Sequence, residues 1–94
     1  MKIVAVCGVG VGTSAILKAN AERALDRLDL EAEVTASGLG EVAGAASDAQ
    51  IVLTSTELSA QVRAALGRTS SEIIEVGNYF DVDEIARHLA RSLA

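Results

Sequence analysis

Lys2-Ile3-Val4-Ala5-Val6-Cys7-Gly8-Val9-Gly10-Val11-Gly12-Thr13-Ser14 is the stretch on which the fold turns. The apolar run Ile3 to Val6 reads as a strand buried on both faces, as in a parallel sheet. It feeds into three glycines alternating with valines, and a helix-like apolar pattern leaves on the far side. A strand, a tight glycine loop and a helix N-terminus together make an anion-binding site. Freed backbone N–H groups and the helix dipole both favour negative charge there. Cys7, the sole cysteine, opens that loop, where the same field favours a thiolate and any phosphoryl group it carries. The pattern implies a chain that is phosphorylated on Cys7 and hands the phosphoryl group on.

Downstream, strand-like and helix-like segments alternate. Thr13 to Leu28 is expected to be a helix: Leu17, Ala21, Ala24, Leu25 and Leu28 recur at helical spacing, with Lys18, Glu22, Arg23, Asp26 and Arg27 opposite. Leu30–Ser37 reads as a second strand, its Ala32, Val34 and Ala36 alternating with Glu31, Glu33 and Thr35, which suits an edge. Gly38 to Ala46 reads as a short, marginal helix or turn. Gln50–Thr54 is the third, buried strand, and Glu57–Leu66 is a helix capped by Thr56 and stopped by Gly67. Glu72–Val76 is the fourth strand. The last helix has Asp81 as its cap, Glu84 in capping-box spacing, and Val82, Ile85, Ala86, Leu89 and Leu93 as its apolar stripe.

Four strands alternating with helices predict an α/β fold. The expectation is a flavodoxin-like four-stranded parallel sheet of order 2-1-3-4 with helices on both faces, residues 1–94 forming one domain. In that order the crevice lies at the carboxyl ends of the first and third strands, where the strand order reverses. The loop opening with Cys7 is one wall, and Thr54-Ser55-Thr56 is the other. Asn78 and Tyr79, after the fourth strand, read as a turn on the same rim.

Composition narrows the function. The 94 residues carry a net charge of −5, with 13 acidic residues against 8 basic ones and no basic tract. Nucleic acid and anionic membrane surfaces are therefore poor partners. Residues 1–21 contain no Asp or Glu, only Lys2 and Lys18, a gap that a phosphoryl dianion needs. With 50% hydrophobic residues the chain can close one core unaided by disulfides or metal. A single thiol and no apolar stretch suited to a signal peptide or membrane span point to a cytoplasmic protein. His88 and Cys7, far apart in sequence, offer no metal site, and no cofactor is expected; His88 reads as a surface histidine in a late helical turn.

Spacing sorts the loop among its look-alikes. The dinucleotide fingerprint needs G-x-G-x-x-G, whereas glycines 8, 10 and 12 give G-x-G-x-G. The nucleotide P-loop needs a lysine before its hydroxyl residue, and Gly12 is followed directly by Thr13-Ser14. Small cysteine phosphatases place five residues between cysteine and arginine, then Ser or Thr. Here the arginine position is Thr13 and the hydroxyl position is Ser14. Without a bidentate guanidinium to hold an incoming ester, the loop is better suited to transfer from an already activated donor than to hydrolysis.

Four stretches carry a family resemblance: Ala5 through Ser14, Leu17-Lys18, Ile51 to Ser55 with Glu57-Leu58, and Val76-Gly77-Asn78 leading to Asp83-Glu84-Ile85. In them the sequence resembles the enzyme IIB component of the bacterial phosphoenolpyruvate-dependent sugar phosphotransferase system, in the ascorbate-type branch of the lactose/cellobiose-like IIB family. The resemblance implies Cys7 as nucleophile and a phosphocysteine intermediate. It implies a phosphate cradle of Gly8, Val9, Gly10, Val11, Gly12, Thr13 and Ser14. The donor it implies is a phosphohistidine of the IIA component, and the acceptor an ascorbate-like sugar or polyol held by the membrane IIC component. Two other classes remain open. A small cysteine phosphatase or thiol redox protein on this fold would turn over alone, and a non-catalytic interaction module would not need Cys7.

Overall fold

The computed structural model describes residues 1–6, 10–69, 71–78 and 81–93, with 10–14 and 93 described as backbone only. In chain order the elements are β1 (Lys2–Val6), α1 (Gly10–Arg27), β2 (Glu33–Ser37), a 3₁₀ turn (Leu39–Glu41), α2 (Val42–Ala45), β3 (Ile51–Ser55), α3 (Ser59–Leu66), β4 (Glu72–Val76) and α4 (Val82–Leu93). The strands form one sheet in the order β2-β1-β3-β4, parallel throughout. This is the 2-1-3-4 flavodoxin-like sheet that the alternation of elements predicts.

β1 is buried on both faces because each face has its own aliphatic layer. Ile3 and Ala5 join Leu17, Ala21, Leu53, Ile85 and Leu89 under α1 and α4. Val4 and Val6 join Val42, Val52 and Val62 under α2 and α3. Every buried apolar side chain among the described residues is aliphatic, from Ala to Ile and Leu. Small, branched side chains let helices lie close on a twisted sheet.

Six element boundaries differ from expectation, the end of α1 by a single residue, Arg27 rather than Leu28. α1 begins at Gly10 rather than Thr13, because docking on the sheet outweighs the ~1 kcal/mol that each interior glycine costs a helix. β2 begins at Glu33 rather than Leu30. Leu30 is instead used to end α1: its N–H bonds the Leu25 carbonyl at 3.0 Å and Asp29 N–H bonds Asp26 at 3.2 Å, with Asp29 at φ 56°. That is a Schellman motif closed by an aspartate. Within β2, Val34 enters the core, but Ala36 is exposed and Ser37 is buried, so the expected alternation breaks at the open end of this edge strand.

β3 is displaced by one residue, Ile51–Ser55 rather than Gln50–Thr54, and α3 starts at Ser59 rather than Glu57. Thr56 does not cap it. The Leu58 N–H bonds Ser55 Oγ at 3.2 Å, so the last residue of the strand holds the turn into the helix. α3 stops at Gly67, whose φ of 59° suits a residue without a side chain.

Candidate functional site

The carboxyl ends of β1 and β3 meet where the strand order reverses. Val6 closes β1 with Ser37 on one side and Thr54 on the other, each its register partner. The chain re-enters described structure at Gly10, already in α1. The first turn of an α-helix therefore stands just past the end of β1, offering backbone N–H groups with no partner inside the helix. No acidic residue lies in that turn. Of the expected site residues, Cys7, Gly8 and Val9 lie outside the described residues. Gly10, Val11, Gly12, Thr13 and Ser14 form the start of α1, and their side chains also lie outside the described residues.

The facing wall is Thr54-Ser55-Thr56. Thr54 is fully buried, and its Oγ1 has no hydrogen-bond partner. Ser55 is buried and accepts the Leu58 N–H, while Thr56 is exposed. The three hydroxyl residues thus have three environments, which their adjacency in sequence does not reveal.

On the β4 side, Gly77 N–H donates to Glu84 Oε2 at 2.6 Å. The capping box forms by half: Asp81 Oδ1 accepts the Glu84 N–H at 3.1 Å, but the Glu84 carboxylate reaches Gly77 rather than the Asp81 backbone. Asp81 N–H bonds the Asn78 carbonyl at 3.1 Å instead, so the turn after β4 supplies the acceptor that Glu84 does not. Glu84 is a residue whose role the sequence understates; only its capping-box spacing signals it. His88 is half-buried, with Nε2 at 3.4 Å from Glu84 Oε2. It is held one turn from Glu84 along α4.

Among the described residues, no group of three or more His, Cys, Asp or Glu side chains could hold a metal ion. No described helix is long and apolar enough to cross a membrane. The chemistry available here is that of a helix N-terminus, hydroxyls and backbone amides around a strand end.

Over residues 2–91 the sequence matches the family described as PTS system, lactose/cellobiose specific IIB subunit. The chain belongs to this IIB family. It is 30% identical over 93 residues, 99% of this chain and 95% of the relative, to the ascorbate-specific PTS system EIIB component of Mycoplasma pneumoniae. Its fold is similar to the lactose-specific IIB component domain from Streptococcus pneumoniae, with a TM-score of 0.69, 13% identity, and coverage of 99% of this chain and 94% of that one. It is also similar to a low molecular weight protein tyrosine phosphatase from Bacillus subtilis, with a TM-score of 0.60, 14% identity, and coverage of 97% and 89%. At such identities these two likenesses speak for the fold alone. A IIB component is a sugar phosphotransferase subunit that works with IIA and IIC partners, and the −5 charge of this chain suits protein and sugar partners better than nucleic acid.

Proposed function

We propose that this IIB chain is a phosphocarrier that accepts a phosphoryl group from a IIA phosphohistidine onto Cys7. It then passes the group to a sugar of the ascorbate-like or polyol class held by the IIC membrane component. The carrying observation is the order of elements around the switch point: β1 ends at Val6, Cys7 follows, and α1 starts at Gly10. In sequence the nucleophile stands three residues ahead of a helix with no acidic side chain in its first turn, and a helix N-terminus near a cysteine favours a thiolate and a phosphate ester of sulfur. Gly8 through Ser14 form the cradle, and the 94 residues act as one cytoplasmic domain.

The transfer balances in two displacements. The Cys7 thiolate attacks phosphorus, a P–S bond forms, and the P–N bond to the donor imidazole breaks with the electron pair leaving on nitrogen. A sugar hydroxyl oxygen then attacks the same phosphorus, loses its proton to a base on the acceptor side, and expels the thiolate. The ascorbate specificity of the Mycoplasma relative supports the sugar class.

Intact mass spectrometry tests the reading. After mixing with phosphoenolpyruvate, the general phosphotransferase proteins and a cognate IIA, the wild-type chain gains one phosphoryl group and Cys7→Ser gains none. Label retained by Cys7→Ser, or found on His88, overturns it.

A further inference from the structure

The sheet has two open edges, and they differ in what they can pair with. β4 ends the sheet on one side. Its Glu72 N–H bonds the Gln50 carbonyl at 2.9 Å, and Glu72, Ile74 and Val76 have Ile51, Leu53 and Ser55 of β3 as register partners. Peptide groups alternate in direction along a strand. Glu72, Ile74 and Val76 therefore direct theirs to β3, while Ile73 and Glu75 turn N–H and C=O outward. A groove of about 240 Å³ lies against this edge, walled by His88, Arg91 and Ser92 of α4. Arg91 is exposed and has no ion pair among the described residues.

β2 is the other edge. Its Glu33 N–H bonds the Met1 carbonyl at 2.9 Å, so Val34 and Ala36 face outward by the same rule. The groove beside its start is lined by Glu22, Asp26 and Glu31, and Glu33 is exposed next to them. Two copies meeting there would bring like charges together.

β4 also has two carboxylates, and charge on an edge strand ordinarily deters pairing. One antiparallel register between two β4 strands avoids that obstacle. Joining both outward residues sets Ile73 opposite Glu75, Ile74 opposite Ile74 and Glu72 opposite Val76, so no carboxylate opposes another. The same twofold axis sets the two α4 helices antiparallel on one face. α4 has Asp83 and Glu84 in its first turn and Arg91 in its last, which directs the basic end of each helix to the acidic end of the other.

We propose that the open edge of β4 is occupied by β4 of a second copy of this chain, giving a twofold dimer with one continuous sheet. Strands of the two copies run in opposite directions. The two switch points therefore lie at opposite ends of the dimer, and each stays open to its own partners.

Sedimentation equilibrium of the full chain tests this, under reducing conditions so that Cys7 cannot link two chains. Wild type shows a concentration-dependent monomer–dimer equilibrium. Glu75→Pro removes an outward N–H and leaves the bonds to β3 in place; it is monomeric with unchanged far-ultraviolet dichroism. Arg91→Glu keeps the fold and raises Kd about three- to tenfold. Ala36→Pro, the same change on the β2 edge, dimerises like wild type. If Glu75→Pro fails to fold, Arg91→Glu against wild type decides. Wild type that stays monomeric at about 1 mM overturns the proposal. So does a dimer that folded Glu75→Pro and Arg91→Glu leave intact, or one that a folded Ala36→Pro alone abolishes. None of these readouts needs a phosphoryl group, so failure here leaves the phosphocysteine reading standing.

Discussion

The backbone N–H of Gly77 donates to the Glu84 carboxylate at 2.6 Å, which fastens the end of β4 to the first turn of α4 across the six residues between them. The same carboxylate lies 3.4 Å from His88 Nε2, so one side chain serves both the loop and the helix.

Removing that carboxylate should loosen the turn. Glu84→Ala is expected to cost about 1 kcal/mol, the net worth of a hydrogen bond to a charged group at a partly exposed site. Glu84→Gln, which keeps an acceptor, should cost less. Urea denaturation reads the cost, and amide exchange at Gly77 reads the lost bond. Identical midpoints for wild type and Glu84→Ala would show that the contact contributes nothing.

Asp29 holds a left-handed conformation at φ 56°, closing the Schellman motif. Glycine adopts that conformation without a Cβ penalty, so Asp29→Gly should stabilise the protein by about 0.5–1 kcal/mol. A decrease in thermal midpoint would mean that the aspartate side chain contributes more than its backbone strain costs.

Ser55 and Thr56 should separate sharply. Ser55→Ala removes one of the two acceptors, Ser55 Oγ and the Ser55 carbonyl, that share the Leu58 N–H at 3.2 Å, and is expected to cost about 1 kcal/mol. Thr56→Ala removes an exposed side chain that does not cap α3 and should leave stability within about 0.5 kcal/mol. Equal losses in the two variants would restore Thr56 as the cap.

Lys2 Nζ and Asp48 Oδ1 lie 2.9 Å apart, joining the start of β1 to the turn before β3. Their hydrogen bond lowers the Asp48 pKa from the ordinary 3.8 and raises that of Lys2 above 10.5. The aspartate's contribution is present above its unfolded pKa and fades as pH falls through the lower folded value. The lysine's is present below 10.5 and fades as pH rises through its raised value. Both groups meet solvent, so salt weakens the effect. At low salt, Asp48→Asn should flatten both limbs of the stability–pH curve; superimposable curves for the two proteins would rule the pair out.

The purified chain alone should hydrolyse aryl phosphates negligibly, although its fold is similar to that of a low molecular weight tyrosine phosphatase. Thr13 stands where such a loop needs its arginine. Turnover by wild type that vanishes in Cys7→Ser would favour a phosphatase over a carrier.

The sheet was legible because its strands announce themselves. β1 and β4 match their expected bounds, and the order follows from four strands alternating with helices. The misses share one cause, tertiary or capping interactions that composition does not encode. Leu30 has strand character but is consumed by the end of α1, and glycines 10 and 12 argue against a helix that docking stabilises. Ser55 and Thr56 are chemically alike, so only backbone geometry decides which one caps. At the candidate site, the switch point and its Thr54–Thr56 wall were readable from topology. The orphaned hydroxyl of Thr54 was not, since burial and partner count belong to the folded molecule.

Among the described residues the core is aliphatic, and aliphatic side chains are optically silent. The chain has no tryptophan, and its one tyrosine and one phenylalanine are neighbours, Tyr79 and Phe80, in the short segment linking β4 to α4. Tyrosine emission and near-ultraviolet dichroism therefore report on that segment alone, while far-ultraviolet dichroism reports on the sheet and helices. The native chain thus carries a local probe that needs no label, and a partner that disturbs the segment between Val76 and Val82 will register in its light.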